Sequence, residues 1–153
     1  MSGSQGLILG IVMIIAGIGI PVMAALNGGL GTRLGNPVQA ATLLFALALA
    51  VSILVLIFKP KPLASNLQLI PPQFFLGGFF VAFYVLSVTF IAPKIGVGNA
   101  IILVLLGQAV ASALIDHFGW FGAQQTALTL SRAVGFLIII SGIVLTRRTA
   151  DIG

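Results

Sequence analysis

The chain has 153 residues, of which 59% are hydrophobic and only 6% charged, with a mean hydropathy of +1.25. So little polar surface cannot cover a water-soluble globule, and the composition specifies an integral membrane protein. The formal charge of +5 comes from seven Lys and Arg scattered singly or in pairs, which excludes a nucleic-acid-binding face; the absence of cysteine excludes disulfides, thiolate metal sites and thiol nucleophiles.

A bilayer core of roughly 30 Å needs about 20 apolar residues per helix. Five segments meet that length, at 7–27, 37–58, 73–92, 97–117 and 130–146. They are separated by "GGLGTRLGN", the proline-bracketed "KPKPLASNLQLIPP", "PKIG" and "FGWFGAQQTALTL". Helices are expected because lipid offers no partner for exposed backbone, and the alternation of a membrane barrel is absent. The first segment is too long in its apolar core for a signal peptide and nothing basic precedes it, so it is expected to remain as a span. Five spans consume about 100 residues. Residues 1–153 are therefore expected to form a single membrane domain, with no enzyme activity, cofactor or metal site.

In the first span, Gly6, Gly10, Gly17, Pro21, Ala24, Ala25 and Gly28 recur at spacings of three and four, which permits close approach by a neighbouring helix. Pro21 lacks a backbone donor and kinks its span, either as a static packing feature with Gly17 or as a hinge. Asn27 ends the span as read from the sequence, and either caps the helix or lines an entrance. The third span is rich in phenylalanine, with Phe79 and Phe83 one turn apart, as are Phe80 and Tyr84. Lipid contact and packing account for the phenylalanines, whereas the Tyr84 hydroxyl needs a partner. Ser87 and Thr89 can bond back to their own helix and are weak signals.

The fourth span carries the densest polar information. Asn99 stands near its start as a cap or entrance residue. Gln108, Ser112 and Asp116 follow steps of four, so they share one face and extend along it by about 12 Å. Gln108, near mid-span, can hold a small polar solute or a partner helix. Asp116 ends the helix at the negative end of its dipole, where a compensating cation is expected. Arg132, at the start of the fifth span, is the candidate for an interfacial ion pair. The alternative is a protonation device with His117, since imidazole changes charge near neutral pH; adjacent helical residues diverge by about 100°, which argues against a direct relay. Trp120 reads as an interface anchor.

Five spans place the termini on opposite faces. Lys59, Lys61 and Arg132 then fall on the N-terminal side, and Arg33, Lys94, Arg147 and Arg148 on the other. Three cations against four give almost no positive-inside bias, so insertion in both orientations is expected. Pairing the two gives an antiparallel homodimer, the symmetry that inverted repeats reach within one chain. The alternative is one orientation, N-terminus outside, with the Arg147/Arg148 tail in the cytoplasm.

The stretches "LLGQAVASALIDHFGWFG", "PVMAALNGGLGTRLGNPVQAA" and "RAVGFLIIISGIVLTRR" together resemble the YdcZ family of small membrane proteins, within the drug/metabolite transporter (DMT) superfamily. Gln108 and the run Asp116 to Gly119 carry the most distinctive part of the likeness. The resemblance implies an all-α integral membrane protein of five transmembrane helices. Such a chain is one inverted-repeat half of a DMT-type transporter in the inner membrane; the family is known both as single chains and as pairs, and the near-absent charge bias favours completion by an antiparallel homodimer. The four-helix multidrug exporters of that superfamily couple through a glutamate in their first helix; this first span has no acid, which argues against that coupling route. The expected function is transport of a small organic solute by alternating access between two oppositely oriented protomers, with Gln108, Ser112, Tyr84, Asn27 and Asn99 along the pathway. The alternative is a non-transporting scaffold or accessory subunit of a heteromeric transporter.

Overall fold

The computed structural model describes residues 3–58 and 69–150, with side chains described for 4–58 and 69–145. Lys59 and Lys61 lie outside the described residues, as do the side chains of Arg147 and Arg148. The helices are α1 (Gly3–Leu34), α2 (Pro37–Phe58), α3 (Gly77–Ile95), α4 (Val97–Phe118) and α5 (Leu130–Ala150), with 3-10 turns at Pro72–Leu76 and Trp120–Gly122. Among the described residues there is no strand. Ser4–Leu34, Pro37–Phe58, Pro72–Ile95 and Val97–Phe118 are long and apolar enough to cross a membrane, whereas the apolar stretch Leu130–Leu145 of α5 is shorter.

The first connection differs from expectation. "GGLGTRLGN" is not a loop: α1 runs on through it to Leu34 as a helix of 32 residues. Gly35 and Asn36 alone make the turn into α2. Gly35 sits at φ 64°, its N–H bonds to the Thr32 carbonyl at 3.2 Å, and Asn36 N–H reaches the Gly31 carbonyl at 3.1 Å. These paired bonds close the helix end in a Schellman motif. Asn36 then caps α2, its Oδ1 accepting from the N–H groups of Val38 at 3.0 Å and Gln39 at 3.2 Å, with Pro37 at the first helical position. Asn27, expected at a helix end, is therefore an interior residue of α1.

The chain divides into two compact units, Met1–Val97 and Gly98–Gly153. In the first, the buried residues of α1 are Ala24, Asn27, Gly28 and Gly31, and those of α3 are Val85, Val88, Thr89 and Ala92. Both sets follow steps of three and four, which put one stripe of each helix against its neighbours. Ala40 and Ala41 supply the stripe of α2. Small residues dominate because lipid gives no hydrophobic drive for helix association, and close backbone approach must supply it through van der Waals contact. A Cβ added at Gly31 would lie 3.1 Å from Pro37 Cα and 3.4 Å from Thr89 Cγ2, and one at Gly28 would lie 3.3 Å from Pro93 Cγ. Contacts of residues 27, 28 and 31 with 89 and 93 bring the C-terminal ends of α1 and α3 to the same end of the unit.

Packing is confined to that end. Residues 4–19 of α1, 46–58 of α2, and 69–81 leading into and opening α3 are exposed throughout, an arrangement suited to hydrocarbon. A Cβ added at Gly6, Gly10 or Gly17 would meet nothing within 4 Å. Of the small-residue pattern in the first span, Ala24 and Gly28 are buried here, while those three glycines face open space.

In the second unit, α4 ends at Phe118 and Gly119 turns the chain with φ 63°. Phe121 at φ 57° and Gly122 at φ 78° continue the turn. The Phe118 and Trp120 rings stack with centroids 5.1 Å apart. The connection folds back on the end of α4, the N–H of Thr126 donating to the Asp116 carbonyl at 2.8 Å.

Candidate functional site

The end of α4 assembles a polar cluster. Asp116 and Arg132, sixteen residues apart, meet as an ion pair with Nη2 to Oδ2 at 3.2 Å and both side chains a little over a third exposed. Arg132 Nη1 also donates to the Thr126 carbonyl at 3.3 Å. The returning connection brings the start of α5 to the acid, and that is the compensation the helix dipole requires. His117 takes a different part: its Nδ1 accepts the N–H of Leu128 at 3.1 Å, and its carbonyl accepts from Gln125 Nε2 at 3.2 Å. With Nδ1 as acceptor the neutral ring carries its proton on Nε2. Among the described residues no hydrogen bond joins the side chains of Asp116 and His117, as their divergence around the helix requires.

Farther along α4, Gln108 and Ser112 lie on the helix face that leads to Asp116. Both are exposed. Ser112 donates to the Ala109 carbonyl at 3.1 Å, whereas Gln108 makes no side-chain hydrogen bond among the described residues. Asn99 occupies the third position of α4 and has a hydrogen-bond or other partner of its own.

The first unit holds the other polar groups. Asn27, 4% exposed, and Thr89, 2% exposed, are joined across α1 and α3: Asn27 Nδ2 donates to Thr89 Oγ1 at 2.5 Å, and Thr89 Oγ1 donates onward to the Val85 carbonyl at 2.7 Å. Thr89 was a weak signal in the sequence because back-bonding explained it fully. Back-bonding is present, and the same oxygen also receives a second helix. The position of Asn27 within the small-residue pattern was the available clue to that contact. Tyr84, on α3, keeps a buried hydroxyl with no hydrogen-bond partner. Gly17 and Pro21 lie inside α1, which continues helical past the proline.

Long apolar helices, with isolated polar groups set into them, define a polytopic α-helical membrane protein. The chain belongs to the YdcZ family: the family model described as "Putative inner membrane exporter, YdcZ" matches residues 8–145. It is accordingly a multi-pass inner-membrane transporter, a class that acts on a small-molecule substrate and is not a class of enzymes. No curated protein and no solved structure matches the chain.

Proposed function

We propose that the chain moves a small organic solute by alternating access, along a pathway formed where two oppositely inserted protomers meet. The observation that carries this reading is Gln108, an amide at the middle of the 22-residue α4, exposed and with its hydrogen-bonding capacity unused within the described residues. Lipid cannot satisfy such a group, so a solute or a partner helix must meet it. The unpartnered Tyr84 hydroxyl is a second unused donor, and Ser112 extends the polar face of α4. Asn27 and Asn99 flank the route, the former by holding α1 to α3. The near-equal division of cations between the two faces favours insertion in both orientations, and an antiparallel pair supplies the in-plane axis that inverted-repeat transporters use.

Two further parts serve the motion. Pro21 offers no N–H to the Gly17 carbonyl, leaving a weak point between the packed end of α1 and its exposed remainder, and this is where α1 hinges. Asp116 and Arg132 act as a brace between α4 and α5, and His117 secures the connection. A transport assay tests the central element. Purified chain in liposomes, screened against a broad solute set, identifies the substrate; Gln108→Leu is expected to abolish its movement while leaving the dimer and its melting temperature unchanged. Retained transport with a lost dimer would show that Gln108 only joins helices.

A further inference from the structure

Where α1, α2 and α3 converge, a cleft of about 330 Å³ opens, lined among others by Thr32, Pro37, Thr89, Phe90 and Lys94. It lies at the helix ends, beside the last turns of α1 and α3, at the level where a membrane span meets headgroups. Its volume is at the lower end of the range for small-ligand sites. Its one charged lining residue is Lys94, which is exposed and has no acid in its own unit: residues 1–97 contain Arg33, Lys59, Lys61 and Lys94 and neither of the two acids of the chain. A counter-anion for Lys94 must come from outside this unit.

The neutral polar groups of the cleft have a definite sense. Thr32 Oγ1 donates its proton to the Gly28 carbonyl at 2.9 Å, so toward the cleft it can only accept. Thr89 Oγ1 is buried and fully engaged, giving its proton to Val85 and accepting from Asn27, so Thr32 is the acceptor the cleft offers. The cleft thus presents a cation at its rim, an acceptor at Thr32 Oγ1, and apolar surface from Phe90, Pro37 and Pro93. A complementary ligand carries an anion, hydrogen-bond donors and an apolar portion together. We infer that this cleft binds the headgroup of a membrane phospholipid whose alcohol bears N–H or O–H donors, with its phosphate against Lys94 and its donors toward Thr32 Oγ1.

The test is native mass spectrometry with melting measurements on the full chain in detergent, titrated with phosphatidylethanolamine, phosphatidylglycerol and phosphatidylcholine. Phosphatidylethanolamine and phosphatidylcholine share the same net charge and differ in the donors of the amine, so stronger binding and a higher melting temperature with the first are expected. Lys94→Gln weakens binding of phosphatidylethanolamine and phosphatidylglycerol about fivefold. Thr32→Val narrows the gap between phosphatidylethanolamine and phosphatidylcholine. Arg33→Gln, which removes the neighbouring cation that bonds to the Gly29 carbonyl and does not line the cleft, leaves that gap unchanged. Equal binding of phosphatidylcholine overturns the proposal, as does an equal loss from Arg33→Gln, which would mean general surface charge. Protection by glycerol phosphate or phosphoethanolamine without any acyl chain overturns the assignment to lipid and makes the cleft a site for soluble phosphate esters.

Discussion

The side chains of Asp116 and Arg132 are each more than a third exposed, so hydration and salt screen their attraction. Asp116→Asn is expected to lower stability, and adding Arg132→Gln to recover part of the loss, with a coupling of about 1 kcal/mol or less. A double-mutant cycle from melting in detergent measures it, and the double mutant should still transport. Additive losses together with a vanished response to a proton gradient would instead place Asp116 in energy coupling. Tyr84 allows the opposite experiment. Its buried hydroxyl lacks a partner, and removing an unsatisfied polar group relieves about 1 to 3 kcal/mol of desolvation. Tyr84→Phe is therefore expected to raise the melting temperature and, on the pathway proposed above, to slow transport. Unchanged transport in that variant would make the group a structural remnant.

Within α1 the glycines divide into two kinds. Gly31 lies where a Cβ would stand 3.1 Å from backbone at Pro37, and backbone at a two-residue turn cannot give way. Gly31→Ala is expected to destabilise the three-helix unit by about 1 to 3 kcal/mol. Gly10, with nothing within 4 Å, responds differently: Gly10→Ala should stabilise the helix by about 0.5 to 1 kcal/mol through backbone entropy. Thermal melts of the two variants compare these directly. A loss of dimer in Gly10→Ala would show that a second protomer packs on this part of α1. The Asn27–Thr89 bond belongs to the same element-level logic. Interhelical hydrogen bonds in membranes contribute about 0.6 to 1.7 kcal/mol, and this one joins the helices at the point where their small residues let them touch.

For the whole molecule the decisive quantity is the distribution of charge between the two membrane faces. Two lysines added between Gly35 and Pro37 are expected to drive most molecules to place that turn in the cytoplasm, because the starting bias is only three cations against four. The absence of native cysteine allows single cysteines placed on each face to be labelled from one side of the membrane. The parent should label from both sides and the lysine variant from one. A parent that labels from one side alone would exclude the antiparallel homodimer and require a separate partner chain. Transport by the lysine variant should fall with its loss of oppositely inserted copies and return when a variant biased the other way is co-expressed.

Membrane residence and the helical class were legible without any structure, because hydropathy summed over 20 residues leaves no other solution in lipid. The Asp116–Arg132 pair was legible too: a carboxylate at a helix C-terminus needs a cation, and the connection that follows α4 brings Arg132 back to it. The course of "GGLGTRLGN" was not legible. Glycine marks a turn when it supplies positive φ, as Gly35 does, and marks a helix contact when it lets a neighbour approach, as Gly28 and Gly31 do; local sequence does not separate the two uses. The partnership of Asn27 with Thr89 spans 62 residues, and the Lys94 cleft takes its walls from three helices. Both depend on which faces of α1, α2 and α3 meet. Tertiary packing alone decided that, because in lipid the choice rests on steric fit between small residues, not on hydrophobicity, which those faces share with the rest of each helix.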